Sequence, residues 1–160
     1  GDVISTAKTA IGAEETAPEL WDRLARLGGK LLVETIPHLA DGTASRTPQD
    51  ESAFTYAPML TKAMSPVDWS RPASAIHCQI RGLQPWPCAI AEIDGRSCKL
   101  FRSVIGGETA AAPGTILRAD KRGIEIACGD GRSLRILELQ GEGGKRMNAA
   151  SYLNGHPIQL

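Results

Sequence analysis

Residues 76–87 read Ile-His-Cys-Gln-Ile-Arg-Gly-Leu-Gln-Pro-Trp-Pro, and the apolar period of the chain changes inside them. Upstream of Pro85, the residues Ala73, Ile76, Ile80 and Leu83 recur at helical spacing. They form one face of a short helix, with Pro72 suited to its first turn. Pro85 stops that helix, and beyond it the pattern alternates. Ala89 to Ile93, the dipeptide Asp94-Gly95, and Lys99 to Ile105 read as a β-hairpin. Thr115 to Ala119 and Ile124 to Cys128 are further strands, and Gly129-Asp130-Gly131 turns the chain into another over Leu134 to Gln140. Short strands at ~10-residue spacing predict a small barrel or sandwich. Asn148 is placed to cap a last short helix over Ala149, Ala150, Tyr152 and Leu153, which Gly155 ends.

Working back from this β-rich unit, residues 37–64 lack any sustained period and are rich in Asp, Thr, Ser, Ala and Pro. They read as an extended linker, pinned to a neighbouring surface by Phe54, Tyr56 and Met59. Before it, Val3 to Ala10 alternates weakly and suggests a strand. Thr16-Ala-Pro-Glu19 then has the form of a capping box, and Leu20, Leu24, Leu27 and Leu31 form one apolar helix face. Pro37 is expected to end that helix. One strand and one helix cannot cover each other's apolar faces, so residues 1–36 read as part of a larger layered domain. The organisation expected is therefore residues 1–36, a linker over 37–64, and a carboxy-terminal domain over 65–160.

The charged fraction of 22% argues against disorder. No apolar run approaches the ~20 residues of a membrane helix, and no secretory leader is visible. Net charge is zero, but it divides unevenly. Residues 1–63 hold 6 Lys+Arg against 9 Asp+Glu, and residues 64–160 hold 12 against 9. The excess favours a polyanion partner for the second part. Cys78, Cys88, Cys98 and Cys128 show no C-x-x-C pair, and His38, His77 and His156 are scattered, so no metal site is expected and the thiols read as buried and reduced.

Four segments, in order, resemble the methionyl-tRNA formyltransferases. They are His38 to Tyr56, the R-x-x-x-P-W-P order from Arg81 to Pro87, Pro113 to Leu117 followed by Gly129 to Gly131, and Gly144 to Gly155 (GKRMNAASYLNG). The resemblance covers nearly the whole chain. It implies a mainly β carboxy-terminal domain with short helices, an OB-like open β-barrel, preceded by a linker and by a βα piece of a Rossmann-like catalytic domain. It also implies transfer of a formyl group from 10-formyltetrahydrofolate to the methionyl amine of initiator tRNA in translation initiation. The place of action implied is the bacterial cytoplasm or an organellar matrix, and the protein is expected as a monomer.

The family's catalytic Asn and His have no match among these residues, and of its L-D-x-G-D motif only the closing Gly1-Asp2 is present. Catalytic residues are thus expected to be absent. Asp2 is at most a rim residue of the folate pocket, and the chain alone is expected to be inactive. The same chemistry explains why: formyl transfer needs a base for the amine and donors for the tetrahedral oxyanion. What the resemblance leaves to this chain is tRNA binding, for which Arg81, Arg102, Lys145 and Arg146 are the candidates. Lys145 and Arg146 follow a Gly-rich loop that leaves backbone free to approach phosphate. Lys99 and Arg102 are expected on opposite faces of one strand, so that only one faces a groove, whereas Lys121 and Arg122 read as a turn pair. Trp86 is expected as a core anchor, with stacking on a base as the alternative, and Trp21 and Trp69 as packing residues. Two other readings stand beside this one: a fragment of a sugar-nucleotide formyltransferase, whose folate domain and barrel are related, and a stand-alone tRNA-binding OB-like module.

Overall fold

Thr16 starts the first helix of the computed structural model, which describes residues 1–160. Its backbone N–H donates to Glu19 Oε2 at 2.8 Å, and its hydroxyl donates to the same oxygen at 2.7 Å, so a donor left over at the helix start is satisfied locally. The helix, α1, runs Ala17–Ala40 with Pro37 inside it, which corrects the expected stop. A proline removes one amide donor. Here the loss falls in the last turn, which Asp41 N–H still closes onto the Pro37 carbonyl at 3.0 Å. The strand expected over Val3 to Ala10 is also corrected. Only Val3 pairs, through an isolated antiparallel bridge to Thr47. With no further strand alongside, weak alternation is not enough to make a ladder. Arg23 fixes this segment instead, donating to Thr9 Oγ1, to the Ala10 carbonyl at 2.8 Å and to the Glu15 carboxylate at 2.7 and 2.8 Å.

The chain forms two compact units, Gly1–Met59 and Leu60–Leu160. In the first, α1 carries no buried residue, and Trp21, Leu32, Val33 and Ile36 are all exposed. Phe54, Tyr56 and Met59, expected to pin the linker, are exposed as well.

In the second unit, helix α2 (Ala73–Gly82) buries Ala73, Ile76 and Ile80 completely, and Leu83 after it is buried too, along the predicted face. Asp94 and Gly95, at φ 49° and 71°, make the two-residue turn joining β1 (Ala89–Ile93) to β2 (Arg96–Glu108). Both central residues need φ > 0 in such a turn, which Asp-Gly tolerates best. β3 (Ile116–Asp120), β4 (Gly123–Ala127), β5 (Arg132–Gly141) and β6 (Met147–Asn148) complete one sheet. Its order is β1-β2-β5-β4-β3, every named pair is antiparallel, and β6 pairs with β5 beyond the end of β4. The path is not closed. α2 and the final helix α3 (Ala149–Gly155) pack on it. Asn148 Oδ1 accepts the Ser151 N–H at 2.8 Å, the cap anticipated from the sequence.

The core is aliphatic: Ile76, Ile80, Leu100, Ile124, Ile126, Leu134, Ile136 and Leu139 are almost wholly removed from water. Each such side chain stabilises the fold by about 1.5–3 kcal/mol through burial. The Gly129-Asp130-Gly131 turn joins α2 to this core. Pro72 gives the helix no side-chain cap, and Asp130 Oδ2 accepts the Ala73 N–H at 3.2 Å in its place. Gly129 donates to the Arg71 carbonyl at 3.0 Å, and a Cβ there would collide with the Ser70 carbonyl.

Candidate nucleic-acid interface

Strict alternation along β2 sends Lys99 and Arg102 to opposite faces. The structure breaks the alternation at Phe101. Leu100 stands opposite Leu139, while Arg102 stands opposite Glu138, so β2 spends one more residue than β5 across this step. Such a bulge reverses the side-chain alternation after it. Lys99 faces Gln140 and Arg102 faces Glu138, two positions on one face of β5, and both cations are exposed. The expected opposition is therefore corrected, and one face carries both.

Glu138 organises this face. Arg146 donates to Glu138 Oε2 through Nε at 2.9 Å and Nη2 at 2.5 Å, and its guanidinium lies 4.6 Å from the centre of the Phe101 ring. The bulge residue Phe101 is thus covered from solvent by a cation, an arrangement that cation–π attraction favours. The ion pair is partly exposed and contributes only about 0.2–1 kcal/mol. Its effect is to hold the Arg146 guanidinium in one orientation beside Arg102. Arg102, the register partner of Glu138, has no ion pair of its own, so the face stays positive.

Lys145 lines a neighbouring hollow of about 270 Å³ with Arg96, Glu142, Met147, Tyr152 and His156. The Gly-rich loop before it is closed by a hydrogen bond from Gly144 N–H to the Gly141 carbonyl at 3.0 Å. Tyr152 stacks on His156 with ring centres 4.5 Å apart, and its hydroxyl lies 3.4 Å from Cys98 Sγ. Burial pushes the phenol up to about 12. Burial also raises the thiols of Cys88, Cys98 and Cys128, the last to about 11, so these three are inert at neutral pH. Cys78 departs from the expectation of buried thiols and is exposed on α2, where Arg81 Nη2 donates to its sulfur at 3.4 Å.

Of the residues singled out by sequence, the fold pairs Arg146 with Glu138, sets Arg102 opposite Glu138 in register, and leaves Lys145 at a separate hollow. Arg81 is half-buried and directed along its own helix. Asp2 is exposed in the first unit. Trp86 is not a core anchor: it is 52% exposed, whereas Trp69 packs against the core as expected. The placement of Lys62 beside Trp86, and of Lys99 beside both, was beyond sequence reasoning. One signal for the bulge was available, because the apolar pair Leu100-Phe101 interrupts an alternating run.

Asp2, the residue the resemblance places at the rim of a folate pocket, sits open to solvent. Each histidine is engaged locally: His38 with Thr43 Oγ1 at 3.1 Å, buried His77 with Ser103 Oγ at 2.9 Å, and His156 with the Tyr152 carbonyl at 3.2 Å.

The model of the family described as formyl transferase, C-terminal domain, matches residues 59–157. The chain is 46% identical over 160 residues to the methionyl-tRNA formyltransferase of Trichlorobacter lovleyi, covering 100% of this chain and 50% of that protein. It is 39% identical to the methionyl-tRNA formyltransferase of Bacillus velezensis, covering 99% of this chain and 50% of that one. The chain spans about half the length of the curated relatives it matches. Among solved structures, a variant of HypX from Aquifex aeolicus superposes with a TM-score of 0.71 at 18% identity, over 96% of this chain and 28% of that one. An N-formyltransferase from Helicobacter canadensis, in complex with folinic acid and dTDP-3-aminofucose, gives 0.66 at 17% identity over 85% and 49%. These structural likenesses establish a shared fold.

Proposed function

This chain belongs to the formyl transferase family through its C-terminal domain, and on that premise we propose that it supplies the tRNA-holding half of a methionyl-tRNA formyltransferase. The family is one of transferases. The whole enzyme in this reading moves a formyl group from 10-formyltetrahydrofolate to the methionyl amine of initiator tRNA, where translation starts, in a bacterial cytoplasm or an organellar matrix. The unit Leu60–Leu160 serves as an OB-like barrel left open between β1 and β3.

The observation that carries the tRNA role is the shared exposed face of β2 and β5. The bulge at Phe101 gathers Lys99, Arg102 and Arg146 there, with Lys145 at the adjoining hollow. Fixed cations on an extended sheet suit phosphate oxygens, whose contacts position a folded RNA without reading its sequence. Aromatic residues make up only 4% of the chain, so an extended stacking platform of the kind single-strand readers use is absent.

The chain by itself is proposed to be inactive, because the catalytic Asn and His of the family it resembles have no match among its residues. Formylation of charged initiator tRNA by the purified 160-residue chain, above a no-protein control, contradicts this. For the binding role, the triple variant Arg102→Ala, Lys145→Ala, Arg146→Ala is expected to flatten the dependence of log affinity on log salt by about 2 to 3, one near-unit step per lost phosphate contact. An unchanged slope removes this face as the phosphate-binding surface. The sugar-nucleotide alternative predicts affinity for a UDP-sugar in place of tRNA, so the same titration separates the two.

A further inference from the structure

Trp86 stands half-exposed between Pro85 and Pro87, held by a turn that has little freedom to move. Gln84 Nε2 donates to the Ile80 carbonyl at 3.0 Å and the Phe101 carbonyl at 2.7 Å, and Cys88 N–H donates to the Leu83 carbonyl at 2.9 Å. Exposing an indole in water has no benefit for folding, since burying such a ring would stabilise the core. Beside it lies a groove of about 730 Å³. Its walls are Pro66, Val67, Pro87 and Ile90, and its polar rim includes Lys62, Lys99 and Glu92.

The backbone of this groove is already satisfied. Val67 N–H donates to the Ile90 carbonyl at 2.8 Å, Ile90 N–H donates to the Ser65 carbonyl at 2.7 Å, and Gln79 Nε2 holds the Met64 and Pro66 carbonyls at 2.8 and 3.0 Å. At Ile90 the outer edge of β1 is therefore already paired. What remains on offer is a flat aromatic face, apolar walls, and two ammonium groups against one carboxylate. That combination matches a planar heteroaromatic ring carrying a negative charge, which describes one nucleotide. A duplex hides its base faces by stacking, so the nucleotide must be unpaired.

We propose that this groove takes one unpaired nucleotide of the bound RNA, its base stacked on Trp86 and its phosphates beside Lys62 and Lys99. The proposal rests on the tRNA-holding reading and extends it, because the phosphate-binding face alone gives no contact with a base. Trp86 is pre-organised by the Gln84 bonds, so stacking orders little that is not already fixed.

The test titrates the 160-residue chain with two probes, initiator tRNA and a short single-stranded oligoribonucleotide. Trp86→Ala should weaken oligoribonucleotide binding by about 5- to 100-fold, the usual range for loss of one base–aromatic stack. Trp86→Phe should restore most of that affinity while abolishing the fluorescence quench that the wild type shows. Lys62→Ala with Lys99→Ala should lower the salt slope by about 1 to 1.5 without removing the quench. Three results overturn the proposal: equal affinities for wild type and Trp86→Ala, binding of a blunt RNA duplex in preference to the single strand, or a free nucleoside monophosphate bound as tightly as the oligoribonucleotide. If wild type and Trp86→Ala both bind tRNA equally well, the groove is excluded and the phosphate face stands. If the wild type binds neither probe at low salt, both readings fail.

Discussion

A single methyl group at position 129 separates this fold from a strained one. The Cβ of an alanine there meets the Ser70 carbonyl, and that carbonyl belongs to the loop that opens α2. Gly129→Ala is expected to cost about 1–3 kcal/mol by overpacking, read from the midpoint of denaturant unfolding. No change in the midpoint would mean the loop is free to move aside. Glu125 carries the clearest pH dependence. Its carboxylate accepts from Ser133 Oγ at 2.6 Å and from Arg135 Nη2 at 2.9 Å, and these bonds, with Arg135 and Arg118 nearby, hold its pKa below the ordinary 4.5. A lowered folded pKa gives stability that is present above the unfolded value and is lost as pH falls through the folded one. Glu125→Gln should therefore destabilise the protein at neutral pH, while the gap to wild type closes as pH falls below the ordinary 4.5 and through the lowered folded pKa. A gap that stays constant down to acid pH contradicts this. At this scale the sequence was legible where chemistry is local, as at Asp94-Gly95 and Asn148. It was not legible at Trp86, whose exposure depends on a groove assembled from residues 62 to 99.

The helices and the main strands of the second unit were readable to within a few residues, whereas the strand expected over Val3 to Ala10 was not formed. The period of Ala73, Ile76 and Ile80 placed α2 because all three face one sheet. The end of α1 was misplaced because a proline near a helix terminus costs one hydrogen bond, which three remaining helical residues outlast. β2 was read without its bulge, and with that the pairing of Lys99 and Arg102 on one face was lost. Register across a sheet belongs to two strands at once, and neither sequence alone records it. The cap of α3 gives an element-scale prediction. Asn148→Ala removes the acceptor for the Ser151 N–H and should cost about 1 kcal/mol, seen as a lower unfolding midpoint. Because Met147 and Asn148 also pair with β5, fraying of α3 should expose Tyr152, which a rise in its solvent quenching would report. An unchanged midpoint and unchanged Tyr152 signal argue that packing of Ala149 and Tyr152 alone holds the helix.

At the scale of the whole molecule, the mainly β class followed from alternating runs between turn residues, whereas the two-residue β6 was not among them. The sheet order did not, since β2 takes β5 as its second partner in place of its sequence neighbour β3. The polyanion reading began as a charge imbalance of three in the second part of the chain, too small to place a surface. The sheet concentrates that imbalance by bringing Lys99, Arg102 and Arg146 to one face, with Lys145 beside them. We propose that this chain holds tRNA through that surface. The most direct measurement is the affinity of the 160-residue chain for initiator methionyl-tRNA across a range of salt. The account predicts binding at ~50 mM salt that weakens steeply and linearly on a log–log scale, by about 3 to 4 log units of affinity per log unit of salt, set by the cations engaged. Absence of binding at ~50 mM salt, or binding indifferent to salt, would contradict it.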